Sequence, residues 1–348
     1  MALKLLHKLV WCVLMAGMYE RITIIGDGAM GSVCAVLLCD KSLSVRMWGH
    51  DSVQLEEIAK SGENKQFLPG YRLPDNLVFE PDDARAFDGA EMVVSAVPCQ
   101  FVRSVWQRLK DDIPAGIPIV SVTKGIERGT QLWPSEILEE VVGKGNPVAS
   151  LSGPTIADEL IRRLPATACV GCADTEIAGK VQKTFNCSTF RVYTNDDVLG
   201  VELSGALKNV IAIAAGIIDG VGAGDNAKAA LVTRGLAEIK RLGIAMGAKE
   251  KTFFGLSGLG DLVTTCISPK GRNRSFGERI GRGLSAKEAL SATKSVVEGA
   301  ATCESVLKLA DKYNVEMPIS EAVHSIINGE KTVETAIDDL MSRKLKSE

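Results

Sequence analysis

The sequence has no excess of charge of one sign and only a short apolar run near its N-terminus. Its 348 residues carry 40 basic and 43 acidic side chains, a formal net charge of −3. That balance does not favour nucleic acid or an anionic membrane surface, since both attract basic patches. The apolar run at 9–18 is shorter than the roughly 20 residues that cross a bilayer. We therefore expect no nucleic-acid partner and no stable membrane insertion.

Metal-ligand spacing is also missing. His7, His50 and His324 are scattered, so no metal site is predicted. The nine cysteines lie mostly in apolar runs, which is typical of reduced thiols in the core of a cytoplasmic protein. Cys169 and Cys172 are spaced as C-x-x-C, but no second pair completes a ligand set and the surrounding sequence predicts a buried strand.

Residues 1–17 form an N-terminal extension ahead of the first predicted strand. Lys4, His7 and Lys8 precede the apolar run, a weak likeness to a signal peptide, but no A-x-A cleavage site follows. We interpret the segment as a poorly ordered or helical extension, with Met18 as a candidate start of translation.

The rest of the chain divides near residue 195. Over residues 18–195, short β-branched runs alternate with helical stretches, which predicts a parallel sheet covered by helices. Over 196–348, long segments rich in Ala, Leu, Ile and Lys predict helices instead. The predicted strands are 21–25, 45–48, 92–97, 119–123, 148–152, 168–171 and 190–194, with a helix predicted at 56–61 after the second strand. The predicted later helices are 199–218, 226–246, 286–290 and 298–313.

A glycine-rich turn follows the first predicted strand. Gly26-Asp27-Gly28-Ala29-Met30-Gly31 matches G-x-G-x-x-G between a strand and a helix. In such turns the glycines allow a tight bend, close approach of a pyrophosphate and close helix packing, while the helix N-terminus offers N–H groups to the anion. The sequence therefore predicts an α/β fold: an N-terminal Rossmann-type, doubly wound, mainly parallel sheet that binds NAD or NADP, and a C-terminal all-helical domain.

The end of the second predicted strand is where the adenosine ribose is expected. There, Asp51 is a candidate for a ribose hydroxyl, and His50 for stacking on adenine or for tolerating a 2′-phosphate. A solvated turn is an equal alternative for either residue, so the choice between NAD and NADP stays open.

Further segments follow in a specific order. They are 97–101 (VPCQF), 123–127 (TKGIE), 151–155 (LSGPT), 205–213 (GALKNVIAI), 258–262 (GLGDL), 272–274 (RNR) and 296–299 (VVEG). With this order and spacing, residues 19–345 resemble the bacterial-type NAD(P)-dependent glycerol-3-phosphate dehydrogenases. The resemblance implies hydride transfer between NAD(P)H and dihydroxyacetone phosphate, a product used in glycerophospholipid synthesis, and a homodimer. Ala29, Met30 and Gly271 stand where that family often has Ser, an aromatic residue and Ser.

Oxidation of a secondary alcohol needs a base and a hydride acceptor. Lys208 precedes the apolar run 210–217, where desolvation would lower the pKa of its ammonium; a lysine reaching solvent from a buried helix is the alternative. Lys124 ends a predicted strand at the edge where doubly wound folds bind ligands, and Asp261 lies in a glycine-rich turn, where a helix cap is the alternative. The resemblance implies that Lys208 is the proton donor and acceptor, with Lys124 and Asp261 as its catalytic partners.

Arg272 and Asn273 are the candidates for the substrate phosphate. A guanidinium grips phosphate through paired N–H donors, and Gly271 permits backbone approach; a solvated basic loop that includes Lys270 and Arg274 is the alternative. The resemblance further implies substrate contacts at Lys124, Gly153, Thr155, Lys208, Asn209, Asp261, Thr265 and Gly271, and cofactor contacts at Phe101, Lys124, Ala157, Arg272, Val296 and Glu298.

Two other functions compete with this interpretation. A related two-domain dehydrogenase would act on another hydroxy acid or on a sugar nucleotide, and a dinucleotide sensor would bind the cofactor without turnover. The Arg272-Asn273 pair argues against the first, because it suits a phosphate monoester. Lys124, Lys208 and Asp261 argue against the second.

Overall fold

The computed structural model describes residues 17–293 and 296–345. The prediction for the N-terminal extension therefore lies, apart from Gly17, outside the described residues. An eight-stranded sheet has the order β3-β2-β1-β4-β5-β6-β7-β8. Its strands are β1 (Arg21–Ile25), β2 (Ser44–Trp48), β3 (Leu77–Phe79), β4 (Met92–Ser95), β5 (Ile119–Ser121), β6 (Val148–Ser152), β7 (Ala166–Gly171) and β8 (Phe190–Asn195).

Neighbouring strands are parallel except for β6 and β7, which are antiparallel. The central strands are apolar on both faces, because helices cover both sides of a mainly parallel sheet; all four residues of β4, for example, are buried. The strand order reverses at β1, which pairs with β2 on one side and β4 on the other. Ligands of such folds bind at this reversal, beyond the carboxyl ends of the strands.

Helices lie between the strands along the chain and pack on the sheet. They are α1 (Ala29–Cys39), α2 (Ser52–Ser61), α3 (Cys99–Leu109), α4 (Pro134–Val142), α5 (Ala157–Ile161) and α6 (Thr175–Phe185), with a 3₁₀ turn at Arg85–Phe87. One core is built around α1, and a second core around Trp48 and Trp106. We call this part, up to the end of β8, the sheet domain.

The remaining part is the helical domain, in which residues 196–293 and 296–345 form helices and loops but no strand. Its helices are α7 (Val198–Gly220), α8 (Gly224–Ala245), α9 (Glu250–Phe253), α10 (Asp261–Ile267), α11 (Arg272–Gly281), α12 (Ala286–Ser291), α13 (Glu298–Lys312), α14 (Pro318–Ile327) and α15 (Val333–Met341), with a π-helical turn at Leu256–Gly260.

Helix α7 forms the centre of the helical domain. By length and composition it is apolar enough to cross a membrane, but 94% of its most apolar 18-residue window is buried inside the protein. Its glycines allow very close packing, because a Cβ on Gly216 would lie 1.9 Å from the carbonyl oxygen of Arg274 on α11. Burial by neighbouring helices thus accounts for its apolar surface.

The structure confirms the predicted doubly wound, mainly parallel sheet followed by a helical domain. The three-residue edge strand β3 escaped prediction because it is too short to show a period. The strands predicted at 92–97 and 119–123 end at Ser95 and Ser121, and the residues beyond them form loops at the carboxyl edge. The helix predicted at 56–61 begins earlier, at Ser52, because the Asp51 side chain caps it.

Candidate active site

The glycine turn joins β1 to α1 at the point where the strand order reverses. Gly26 has a φ of +113°, and a Cβ there would lie 2.8 Å from the carbonyl oxygen of Ala96. A Cβ on Gly31 would lie 2.0 Å from the carbonyl oxygen of Gly26, whereas one on Gly28 would meet nothing within 4 Å. Gly28 is the N-cap of α1, and no side chain caps the helix. The N-terminus of α1 therefore offers N–H groups to open space, which suits a pyrophosphate.

At the end of β2, the structure assigns Asp51 a structural role. Its carboxylate accepts hydrogen bonds from the backbone nitrogens of Val53 and Gln54 and so caps α2. The helix start thus uses the carboxylate that the sequence offered as a candidate for a ribose hydroxyl. His50 is exposed, and its ring lies edge-on to Trp48 with centroids 6.4 Å apart.

Sequence reasoning missed another carboxylate in this region, that of Asp27. It lies against Gly49, where a Cβ would be 2.8 Å from the Asp27 Cγ. Gln54 Nε2 donates a hydrogen bond to Asp27 Oδ2 at 2.9 Å. Burial raises the pKa of the Asp27 carboxyl, and hydrogen bonds from its own backbone and from Gln54 partly offset this rise. A charged residue between the first two glycines was the available signal in the sequence.

Where the sheet domain meets the helical domain, one carboxylate forms salt bridges with two lysines. Asp261 Oδ1 lies 2.5 Å from Nζ of Lys208, and Asp261 Oδ2 lies 2.6 Å from Nζ of Lys124. Lys124 follows β5 in the sheet domain, whereas Lys208 lies in α7 and Asp261 begins α10 after the π-helical turn. Only 6% of Lys208 and 2% of Asp261 are exposed. The predicted catalytic residues are therefore brought together, and Asp261 bridges both domains rather than capping a helix.

The surroundings of Lys208 account for its acidity. Burial lowers its pKa, Asp261 raises it and the charge of Lys124 lowers it again, which leaves the pKa of Lys208 at about 8. An ammonium with a pKa near neutrality can both donate and accept a proton at physiological pH. The arrangement can therefore carry acid–base chemistry.

Other predicted substrate residues surround this cluster. Lys208 donates a hydrogen bond to Oγ1 of Thr265 at 2.6 Å. Lys124 donates to the carbonyl oxygen of Gly153 at 3.0 Å and to Oγ1 of Thr155 at 3.5 Å. Gly153 has a φ of +154°, and a Cβ there would lie 2.9 Å from Cα of Ala168, so the loop requires glycine.

The three basic residues of the predicted loop, Lys270, Arg272 and Arg274, lie in three different environments. Lys270 forms a salt bridge with Asp158 of the sheet domain, whose other oxygen accepts a hydrogen bond from the Tyr71 hydroxyl. Arg274 pairs with Asp219 and Glu278 inside the helical domain.

By contrast, Arg272 is exposed and forms no salt bridge with another described residue. Gly271 is the N-cap of α11, and within the described part of the chain no side chain caps that helix. An exposed guanidinium and an uncapped helix N-terminus together suit an anion. The side-chain Oδ1 of Asn273 accepts a hydrogen bond from the backbone nitrogen of Gly299, at the start of α13. Asn273 is therefore partly engaged in holding two helices together.

The remaining predicted cofactor residues lie at or near the starts of three helices. Phe101, 53% exposed, and Ala157 stand in the first turns of α3 and α5, after the carboxyl ends of β4 and β6. Val296 is exposed just before α13. Glu298 approaches the loop after β5, since a Cβ on Gly125 would lie 3.3 Å from its Oε2, and that buried oxygen has no hydrogen-bond partner among the residues that the structure describes. Asn209 is buried in α7 beside Lys208.

A glycine turn at the strand-order reversal and a lysine–carboxylate cluster at the same carboxyl edge of the sheet are typical of two-domain dehydrogenases that use a dinucleotide. Residues 21–178 match the N-terminus, and residues 197–338 the C-terminus, of NAD-dependent glycerol-3-phosphate dehydrogenase. The chain belongs to the NAD-dependent glycerol-3-phosphate dehydrogenase family.

Individual relatives show the same breadth of similarity. The glycerol-3-phosphate dehydrogenase (NAD(P)+) of Chlorobium phaeobacteroides strain BS1 is 45% identical over 330 residues, covering 94% of this chain and 99% of the relative. The corresponding protein of Geobacter sp. strain M21 is 46% identical over 334 residues, covering 95% and 99%. The crystal structure of glycerol-3-phosphate dehydrogenase from Coxiella burnetii superimposes with a TM-score of 0.89 at 36% identity, covering 94% of this chain and 100% of that one.

Proposed function

We propose that the protein catalyses reversible hydride transfer between NAD(P)H and dihydroxyacetone phosphate, giving sn-glycerol 3-phosphate. The observation that carries the proposal is the buried Lys208 ammonium, held 2.5 Å from Asp261 at the junction of the domains. Family membership supports the substrate, and the exposed Arg272 supports a phosphate group. When bound, the nicotinamide supplies or accepts the hydride.

Lys208 has the proton-transfer role in this mechanism. During reduction its ammonium donates a proton to the oxygen that develops negative charge at the former carbonyl, and during oxidation the neutral amine removes the hydroxyl proton. Asp261 orients the amine and limits the fall of its pKa. Lys124 adds a second positive charge that stabilises the developing oxyanion. Thr265 fixes the Lys208 amine, while Asn209 and the loop with Gly153 and Thr155 position the substrate.

The substrate phosphate and the cofactor pyrophosphate have separate binding sites. Arg272, Asn273 and the Gly271 nitrogen at the start of α11 bind the substrate phosphate. The cofactor pyrophosphate fits at the uncapped α1 N-terminus, where Gly28 leaves open space. Further cofactor residues in the proposal are Gly26, Ala29, Met30, Gly31, His50, Phe101, Lys124, Ala157, Arg272, Val296 and Glu298.

Three broader features belong to the same proposal. The product supplies glycerophospholipid synthesis, the protein is cytoplasmic, and it forms a homodimer. The eight cysteines among the described residues are unpaired thiols, which supports a reducing compartment. Sedimentation equilibrium of the purified chain tests the homodimer.

The decisive experiment follows the loss of NADH and NADPH absorbance with dihydroxyacetone phosphate and, in parallel, with ketopantoate. We expect turnover with dihydroxyacetone phosphate. Activity on the unphosphorylated ketone alone would reject the substrate. A ketopantoate reductase from Ralstonia eutropha shares this fold at a TM-score of 0.56 and 15% identity, so ketopantoate is the matched unphosphorylated alternative substrate.

The phosphate site predicts a selective defect. In Arg272→Ala we expect the KM for dihydroxyacetone phosphate to rise by about 10- to 100-fold, because charge-assisted hydrogen bonds contribute roughly 1.5–3 kcal/mol each. The matched control is Arg282→Ala, which removes the same charge at the opposite end of α11. An unchanged KM in Arg272→Ala, or an equal rise in Arg282→Ala, would remove Arg272 from the phosphate site.

The glycine turn predicts two different defects. Gly28→Ala should fold with a loss of about 1 kcal/mol, because its Cβ meets nothing but alanine is a poorer N-cap than glycine, while NADH affinity falls because the methyl group occupies the anion space. Gly31→Ala should lower the free energy of unfolding by about 1–3 kcal/mol or more, because its Cβ collides with backbone. Thermal unfolding and NADH titration measure both effects; equal NADH affinity in Gly28→Ala and wild type would place the pyrophosphate elsewhere.

A further inference from the structure

The Asp27 carboxylate lies in the angle between the glycine turn and the end of β2. It stands between Gly26 and Gly28 in the chain and contacts Gly49, the first residue after β2. In doubly wound folds the pyrophosphate lies at the helix N-terminus and the adenosine ribose lies toward the end of the second strand. Asp27 therefore lies where the protein meets the ribose.

The charged side chains in this region are mainly acidic. An acidic residue there binds the 2′-hydroxyl of NAD, whereas an arginine accommodates the 2′-phosphate of NADP. Asp51 adds a second carboxylate, although it is used as the cap of α2. Residues 49–59 include no lysine or arginine, and His50 is the one basic side chain in that segment. Nothing in this segment supplies the permanent charge that a 2′-phosphate requires.

The position of Asp27 is fixed from two sides. Gln54 Nε2, on α2, donates to its Oδ2 at 2.9 Å, and Asn64 Nδ2 donates to its backbone oxygen at 2.8 Å. Asn64 in turn donates to Oγ of Ser32 on α1 at 2.9 Å. The carboxylate therefore cannot swing aside for a phosphate without breaking the hydrogen bond from Gln54. Partial burial also strengthens its electrostatic effect on a neighbouring charge.

We propose that Asp27 makes this protein selective for NAD over NADP, by accepting a hydrogen bond from the adenosine ribose and repelling a 2′-phosphate. The inference rests on the proposed function and decides a question that the relatives' names leave open, since they specify NAD(P)+. It assigns the selectivity to a residue inside the glycine turn rather than to Asp51.

The test compares direct binding of NADH and NADPH to wild type and to Asp27→Asn by isothermal titration at constant ionic strength. Asparagine keeps the size of the side chain and an acceptor for Gln54 but removes the charge. We expect wild type to bind NADH at least about tenfold more tightly than NADPH, and the ratio to fall by about 10- to 100-fold in Asp27→Asn. The ratio of kcat/KM for the two cofactors should change in parallel.

The matched control is Asp51→Asn, which removes a neighbouring charge while asparagine still caps α2. We expect a smaller change of the NADH/NADPH ratio in this variant, and thermal unfolding shows whether both variants are folded. An unchanged ratio in Asp27→Asn, an equal change in Asp51→Asn, or a wild-type preference for NADPH would overturn the inference. Tight NADH binding without turnover of dihydroxyacetone phosphate would instead contradict the proposed function, while the comparison of dissociation constants would still decide the role of Asp27.

Discussion

Lys208→Ala is expected to lower kcat by about 10²- to 10⁴-fold, the contribution typical of a positioned general acid or base. The amine is the proton-transfer group of the cluster, and alanine leaves no other group in its place. NADH binding should survive, because the proposed pyrophosphate site lies at the start of α1 in the other domain. Steady-state kinetics and NADH titration measure the two effects separately, and near-normal turnover would refute the assigned base.

The pH profile gives an independent test of the same residue. Because the pKa of Lys208 is lowered to about 8, the rate of glycerol 3-phosphate oxidation should rise with pH through about 8, as the amine loses its proton. The rate of dihydroxyacetone phosphate reduction should fall over the same range. Lys208→Arg is the control, because a guanidinium stays protonated and cannot act as the base. A profile in wild type that does not change near pH 8 would exclude Lys208 as the titrating group.

Asp261→Asn is expected to reduce both activity and stability. One carboxylate neutralises two ammonium groups, at 2.5 and 2.6 Å, and is 2% exposed. Removing one partner of a buried ion pair costs about 3–5 kcal/mol because it leaves uncompensated charge. The pKa of Lys208 should fall further, since Asp261 is its main raising influence, so the oxidation profile should move to lower pH.

A matched control for this variant is Asp158→Asn. Asp158 also bridges the domains, through its salt bridge with Lys270, but it is partly exposed. We expect its loss to cost about 0–1 kcal/mol, as is usual for such pairs. Equal unfolding temperatures for Asp261→Asn and wild type, together with an unchanged pH profile, would show that Asp261 neither holds nor tunes the two lysines.

The fold was largely predictable because its signals are local. Runs such as Arg21–Ile25 and long apolar segments such as that of α7 show their period within the segment itself. The edge strand β3 does not, since three residues between turns show no alternation. The start of α2 was misplaced because the role of Asp51 as its cap depends on backbone geometry.

The site was predictable only in part, because it depends on contacts between distant residues. The apolar flank of Lys208 indicated a desolvated amine, but Lys124 and Asp261 are 137 positions apart, and only the family resemblance linked them. Composition also could not separate Arg272 from its basic neighbours, since Lys270 and Arg274 become paired only in the folded chain. Asp27 went unnoticed because the glycine motif leaves its position unspecified.

The two lysines that share Asp261 belong to different domains. Lys124 belongs to the sheet domain, whereas Lys208 and Asp261 belong to the helical domain. Any motion that moved the two domains apart would therefore separate Lys124 from Asp261. It would also take the positive charge of Lys124 away from Lys208. The pKa of Lys208 thus depends on contact between the two domains, because the charge of Lys124 helps to lower it.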